Sequence, residues 1–138
     1  MVHTHEFSVA TNGRGFTDLG PAIRKWLASL PRTDGLCHVF VAHTSASLIL
    51  CENADPRVRQ DLECWFADSV QDGDPRFRHR DEGPDDMAAH LRSVLTSNSL
   101  SLPVRSGSLA LGTWQGLYLW EHRTRAHSRR VLLTLVGQ

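Results

Sequence analysis

Lysine is almost absent from this chain: Lys25 is the only one, and arginine supplies the remaining basic residues. Acidic and basic residues balance at 15 each, so the formal net charge is zero. A chain without a basic surplus lacks the electrostatic pattern that is typical of nucleic-acid or anionic-membrane binding. We therefore expect neither of these partners.

Several short patterns that would define a common class of protein are also missing. No apolar run reaches about 18 residues, and no basic region followed by an apolar stretch opens the chain, so we expect neither a transmembrane helix nor a secretory signal. The cysteines are odd in number and form no Cys-x-x-Cys pair, which favours reduced thiols over disulfides or a zinc knuckle; they are Cys37, Cys51 and Cys64. We predict a cytoplasmic protein.

Three large enzyme classes lack their sequence signatures here. The chain has no glycine-rich loop ending in Lys-Ser or Lys-Thr, and no Gly-x-Gly-x-x-Gly after a strand. These absences argue against a nucleoside triphosphatase and a Rossmann dehydrogenase. The nucleophile elbow Gly-x-Ser-x-Gly is missing as well, which argues against a serine hydrolase.

The length of 138 residues and an apolar content of 41% predict one domain, residues 1–138, with a substantial core. Helical spacing of apolar residues predicts three helices, which span Thr17–Leu30, Pro56–Val70 and Asp85–Ser97. Alternating or continuous apolar runs predict strands at His5–Ala10, Leu36–His43, Ser47–Cys51, Ser99–Val104, Leu109–Leu111, Gly116–Trp120 and Arg130–Val136. This order favours an α+β fold with a mostly antiparallel sheet or sandwich packed against about three helices.

Two burial predictions follow from the same patterns. The strand Leu36–His43 is apolar at most positions, which predicts burial on both faces. The third helix is predicted to turn one apolar face inward, with Met87, Leu91, Val94 and Leu95 in the core.

Three polar clusters interrupt the apolar elements, at His43–Ser47, Glu82–His90 and Gly112–Gly116. Buried polar groups are costly unless they are paired, so the three clusters suggest one composite site. In the last cluster, two glycines flank Trp114 and Gln115, which indicates a bulge or a close approach by a backbone or a ligand.

Histidines supply the candidate chemistry. Asp86 and His90 are four residues apart on a predicted helix and share one face, so the carboxylate could orient the imidazole or ligate a metal with it. Alternatively, they are a helix-start carboxylate and a boundary histidine. His43 either serves the same site or closes the sheet through a backbone hydrogen bond, while His79 lies in a polar loop that is typical of solvated side chains.

Arginines follow the strand that ends at Trp120. Arg123 begins this group and could bind a phosphate through forked hydrogen bonds. The same arginines could instead form a charged turn that opposes edge pairing.

Taken together, the polar segments resemble the YjbQ family of small proteins over essentially the whole chain. The resemblance is carried by five segments, His43–Leu48, Glu52–Val58, Glu82–His90, Leu111–Gly116 and Glu121–Arg123. It implies a compact α+β fold, a homotrimer with sites near subunit interfaces, and a secondary thiamine-phosphate synthase activity. That reaction joins a hydroxymethylpyrimidine diphosphate to a thiazole phosphate, releases pyrophosphate, and needs a divalent cation.

With this resemblance, each candidate residue receives a role. The catalytic candidates are His43, Asp86 and His90, and the metal candidates are His43, His79 and His90. The candidates for binding a small phosphorylated or heterocyclic substrate are Ser45, Asn53, Trp114, Gln115 and Arg123. Imidazole ligands suit zinc better than the magnesium typical of phosphate chemistry, so both metals stay open. The alternative function is a non-catalytic trimeric module that binds a metal or metabolite.

Overall fold

Eight strands and three helices make up the computed structural model, which describes all residues from Met1 to Gln138. In chain order they are β1 (Val2–Ala10), β2 (Gly15–Asp18), α1 (Gly20–Ala28), β3 (Gly35–Val41), β4 (Ala46–Glu52), α2 (Pro56–Ser69), α3 (Asp86–Leu95), β5 (Ser99–Arg105), β6 (Ser108–Leu109), β7 (Gln115–Glu121) and β8 (Ser128–Gly137). None of the helices is both long and apolar enough to span a membrane.

The strands form two antiparallel sheets rather than one. The larger sheet has the order β1-β8-β3-β5-β6, and the smaller has the order β2-β7-β4. Their inner faces, together with α1, bury a continuous apolar core that includes Ile23, Val39, Leu119 and Leu133. The α+β fold with three helices that the sequence predicts is therefore confirmed.

The start of α1 differs from the sequence prediction. Residues 17–18 belong to strand β2, where Thr17 pairs with Leu119 of β7. The helix begins only at Gly20, with Pro21 in its first turn, where proline needs no backbone N–H partner. By contrast, α2 begins where predicted, because the Asp55 side chain accepts the Arg57 N–H at 2.9 Å.

The strand β3 is buried on one face only, which corrects the prediction of burial on both. Cys37, Val39 and Val41 face the core, whereas Leu36 and Phe40 are exposed on the other side of the larger sheet. Helix α1 and the smaller sheet cover only its inner face, while α2 and α3 pack on the smaller sheet, so β3 leaves its outer side chains uncovered.

The buried face of α3 is the predicted one only in part, because Leu91 packs against a buried cluster and Met87 is half-buried. Val94 and Leu95 are 80% and 61% exposed, while Ala88, Ala89 and Arg92 are fully buried. Small alanines let the helix approach Phe66 and Trp120 closely, and the long Arg92 side chain reaches inward to Glu63. Helical spacing alone could not identify this face, because its longest inward side chain is charged.

We predict that Leu133→Ala lowers the free energy of unfolding by about 2–5 kcal/mol, since this side chain is 1% exposed in the main core. Leu95→Ala is the matched control, and its effect is expected within about 0.5 kcal/mol because the side chain faces solvent. Urea unfolding at one protein concentration measures both. Equal losses in the two variants would contradict the assigned faces.

Candidate functional site

Two histidines meet one carboxylate at the start of α3. The Nε2 atom of His79 lies 2.8 Å from Asp86 Oδ2, and the Nε2 atom of His90 lies 3.3 Å from the same oxygen. The three candidate ligand atoms all lie within 4.8 Å of one another. Asp86 and His90 come together because they are one helical turn apart, while the loop before α3 brings His79 over them.

These three side chains fit a metal ion. Ligand atoms at about 2.0–2.1 Å from a tetrahedral zinc are about 3.3 Å apart, which the pair His90–Asp86 already satisfies. The pair His79–Asp86 is a hydrogen bond at 2.8 Å, so a metal would replace its proton and separate these atoms by about half an ångström. Two imidazoles and one carboxylate leave one tetrahedral position for water or substrate.

Arg123 is committed to holding this group in place. Its Nη1 lies 3.0 Å from Asp86 Oδ1, its Nε donates to Asp85 Oδ2 at 2.9 Å, and its Nη2 donates to the Glu82 carbonyl at 2.8 Å. Burial alone would raise the pKa of the Asp85 carboxyl, but Arg123 and the Thr124 N–H lower it to about 2. These contacts engage all three guanidinium nitrogens of Arg123 and hold Asp86, and the predicted role of Arg123 as a phosphate contact stays a prediction.

His43 lies outside the three-residue group, although the sequence analysis placed it with the metal ligands. Its Nε2 accepts the Arg130 backbone N–H at 2.7 Å, so this nitrogen is not free for a metal. Burial and the positive charge of Arg129 lower the pKa of the His43 imidazole. His43 nevertheless lines a cavity of about 340 Å³ together with His90.

Ser45 is buried, and its side chain makes its hydrogen bond inside the protein. Its Oγ accepts a hydrogen bond from Arg129 Nη2 at 3.0 Å. Arg129 also pairs with Glu121, whose carboxylate in turn accepts the Thr11 hydroxyl and the Arg123 N–H. The structure therefore places Ser45 in a buried ionic network that joins β4, β7 and β8.

The remaining predicted substrate residues lie at the opposite end of the smaller sheet. In the pairing of β4 with β7, Ala46 faces Glu121 near the histidines, whereas Glu52 faces Gln115 at the other end. Seven residues of strand separate these ends by about 20 Å. Within one chain, Asn53, Trp114 and Gln115 therefore do not share a site with the histidines.

That opposite end is a tightly organised turn. The Asn53 amide donates to the carbonyls of Thr113 and Gln115, and the Gln115 side chain accepts the Gly112 N–H at 2.9 Å. A Cβ on Gly116 would lie 2.8 Å from the Tyr118 ring and 3.0 Å from Asn53, which explains the glycine. Trp114 is left 64% exposed at the tip.

A second cavity, of about 290 Å³, lies beside His79. Arg80 and Asp74 also line it, and the Asp74 carboxylate is paired with Arg76 at 2.7 Å. Arg80 donates through Nε and Nη2 to the carbonyls of Phe77 and Pro75, which leaves Nη1 without a partner. His79 thus lines a cavity with Arg80, and His90 lines the cavity with His43.

An ion pair between a fully buried arginine and a half-buried glutamate fixes α3, and helical spacing did not predict it. Arg92, fully buried, donates through Nη1 to Glu63 of α2 at 2.5 Å, and Glu63 also accepts the Trp120 indole N–H at 2.7 Å. The Nε and Nη2 atoms of Arg92 have no partner. The only sequence signal was an arginine at the right helical spacing from Ala88 and Ala89.

His122 is a second buried group that the sequence pattern did not assign. Its Nε2 lies 2.7 Å from Ser47 Oγ, which is itself 2.7 Å from the Thr96 hydroxyl, while its Nδ1 has no partner. Burial, and then the positive charge of Arg92, lower the pKa of this imidazole to about 3. His122 is thus held neutral in the interior between α3 and β7.

The fold and the histidine group define a class of small α+β proteins with two antiparallel sheets and a candidate metal centre at the start of a helix. The family model described as UPF0047 protein YjbQ-like matches residues 5–138. The chain therefore belongs to the YjbQ-like UPF0047 family.

Similarity to individual proteins extends over whole chains. A UPF0047 protein from Synechocystis sp. is 46% identical over 99% of this chain and 92% of its own. The protein YjbQ from Escherichia coli is 42% identical over the full length of both chains. The crystal structure of a hypothetical protein from Aeropyrum pernix superimposes with a TM-score of 0.89 at 30% identity, over 99% of each chain.

We predict that His122 makes stability fall as the pH drops below about 6.5. The unfolded chain binds a proton there with an ordinary pKa, whereas the folded chain does so only at about 3, so protonation favours unfolding in this window. Between pH 6 and pH 5 the wild type should lose about 1 kcal/mol more stability than His122→Gln.

Urea unfolding at several pH values measures this difference in slope, and the exposed His5 supplies the control variant His5→Gln. The control should keep the wild-type slope. If His122→Gln also kept it, the buried neutral state assigned to His122 would be incorrect.

Proposed function

We propose that this protein is a metal-dependent enzyme that acts on a small phosphorylated substrate. The observation that carries the proposal is the convergence of His79, Asp86 and His90 within 4.8 Å, beside two cavities. A metal-binding group with an open ligand position beside small-molecule cavities is the arrangement that metal-assisted catalysis uses.

Each residue of the site would have a separate role in this reaction. A bound divalent ion would supply Lewis-acid stabilisation of charge that develops on a substrate oxygen. His79 and His90 would hold it with Asp86, and Arg123 would keep the Asp86 carboxylate oriented. His43 lines the adjacent cavity, and because its Nε2 accepts the Arg130 N–H, the neutral ring would carry its proton on Nδ1 and would donate a hydrogen bond to a bound substrate.

Arg80 joins Arg123 as a proposed phosphate contact. It lines the cavity beside His79 and keeps one guanidinium nitrogen, Nη1, without a partner, whereas the carboxylate that also lines the cavity, Asp74, is paired with Arg76. A phosphate in that cavity would meet this nitrogen and lie next to the metal ligands. An arginine and a cation at one phosphate are the usual means of neutralising its charge.

The thiamine-phosphate synthase reaction that the family resemblance implies stays a prediction. It involves two phosphorylated heterocycles and a pyrophosphate leaving group, which needs more than one positive group. The metal group and Arg80 could meet this need, but Trp114, the predicted stacking partner for a heterocycle, lies at the far end of the sheet. The non-catalytic binding module is the competing proposal, and turnover distinguishes the two.

We predict that the wild-type protein binds about one zinc or manganese ion per chain and that His79→Ala and His90→Ala each lose most of it, because each removes one of three ligands. His43→Ala should retain the metal, since its Nε2 is bonded to the backbone. Metal analysis after equilibration and gel filtration measures this, with His5→Ala as the control.

No bound metal in the wild type after equilibration with zinc, manganese or magnesium would overturn the proposed metal centre. If metal binds as expected, a panel of thiamine precursors and phosphate esters tests catalysis. Metal-dependent conversion of any of them supports the enzyme, whereas binding without conversion across the panel would favour the non-catalytic module.

We also propose that copies of this chain assemble through the outer face of the larger sheet. Val2, Val136 and Leu36 are direct neighbours across β1, β8 and β3, and all three are more than half exposed. Phe40 extends this apolar face along β3. An uncovered apolar sheet face of this kind supports an interface with a second copy, in line with the homotrimer that the resemblance implies.

We predict that Leu36→Glu shifts the assembly toward monomers, because it would place a charge in the apolar face. Light scattering coupled to gel filtration measures the mass. Val94→Glu is the control, since this exposed side chain lies on α3, away from the sheet face. A wild type that is monomeric at micromolar concentration would refute the assembly.

A further inference from the structure

The cavity beside His90 differs in chemistry from the cavity beside His79. We propose that it is a subsite for an uncharged polyhydroxyl group of the substrate, so that the substrate carries its phosphate at Arg80 and its hydroxyls here. This inference rests on the proposed function, because it takes the metal group beside the two cavities to act on one substrate.

The lining of this cavity carries no permanent charge. Eight residues line it, and none is aspartate, glutamate, lysine or arginine. A phosphate would therefore find no arginine or lysine there, and a cationic group would find no carboxylate. The Arg130 N–H donates to Nε2 of His43, which favours the neutral imidazole, so the His43 ring adds no charge to the cavity.

Polar groups nonetheless dominate the lining, and three of them have no partner: the buried Ser93 Oγ and two exposed side chains. Thr44 and Asn98 are exposed in the cavity, and neither side chain makes a hydrogen bond within the chain. A threonine hydroxyl both donates and accepts, and an asparagine amide does the same through separate atoms. Their natural partners are hydroxyl groups, which also donate and accept.

The end of α3 strengthens the preference for hydroxyls over phosphate. The helix ends at Leu95, and Val94, Thr96 and Ser97 line the cavity around this terminus. The carbonyl end of a helix carries partial negative charge, which repels anions and accepts hydrogen bonds from O–H groups. The cavity beside His79 lies instead near the start of the same helix, and it is lined by Arg80 and by Asp74, whose charge is paired with Arg76.

The volume of the cavity is consistent with a ligand group the size of a sugar. About 340 Å³ lies within the range of small-ligand sites, and His90 opens the cavity directly onto the metal group. The cavity with Arg80 lies near the start of α3 and the uncharged cavity near its end, with Asp86 and His90 one turn apart on the helix. The substrate class that fits both is a phosphorylated polyol or sugar.

The test is a nuclear magnetic resonance titration of the full chain, with amide shifts as the readout and three separate probes: ribitol, inorganic phosphate and choline. Ribitol should shift the amides of residues 43–44 and 93–98 in a saturable way. Phosphate should shift residues 73–84 instead, and choline should shift neither group.

Variants sharpen the assignment. Thr44→Val and Asn98→Ala should each weaken ribitol binding about tenfold, since each removes a hydrogen-bonding partner of a polar ligand. Ser101→Ala is the control, because this exposed serine lies on β5 outside the cavity and contacts His38. Its ribitol affinity should equal that of the wild type.

The outcomes separate this inference from the proposed function. Ribitol binding at residues 43–44 and 93–98 without any metal binding would sustain the subsite and overturn the metal-dependent enzyme. Metal binding without ribitol shifts at these residues would overturn the subsite and leave the metal-dependent enzyme standing. Stronger shifts of these residues by phosphate or choline than by ribitol would overturn the assignment of an uncharged polyhydroxyl group.

Discussion

The contact between Arg123 and the paired carboxylates of Asp85 and Asp86 is the constraint on which the site depends. Arg123 follows β7, the two aspartates begin α3, and Glu82 supplies a carbonyl from the preceding loop. One guanidinium therefore fixes the end of a sheet, the start of a helix and a loop to one another. Because Arg123 takes one oxygen of Asp86, the other oxygen is left to face both histidines.

A second ion pair fixes the position of α3 against α2 and the smaller sheet. Arg92 ties α3 to Glu63 of α2, and Glu63 ties both to the indole of Trp120 on β7. A buried ion pair adds little net stability compared with an apolar pair, but the loss of one partner is costly. We therefore infer that this pair sets the position of α3 more than it strengthens the fold. His90 lies only two residues from Arg92, so its position depends on the same pair.

The sequence identified the elements well and their buried faces less well. Apolar spacing located all three helices and most strands, because that spacing follows directly from helix and strand geometry. It failed where a charged side chain enters the interior, as for Arg92 on α3, and where an apolar side chain stays outside, as for Leu36 on β3. Both depend on what packs against the element, which local pattern does not encode.

The candidate site could also be predicted only where local pattern decides, because contacts between residues far apart in sequence depend on the fold. The spacing of Asp86 and His90 follows from helix geometry, so that pair could be predicted, while His79 reaches it only through the path of a loop. Asn53, Trp114 and Gln115 looked equally functional in sequence, yet strand pairing carries them to the other end of β4 and β7. Their separation from the histidines is set by the antiparallel register, since residues at the start of one strand pair with those at the end of the other.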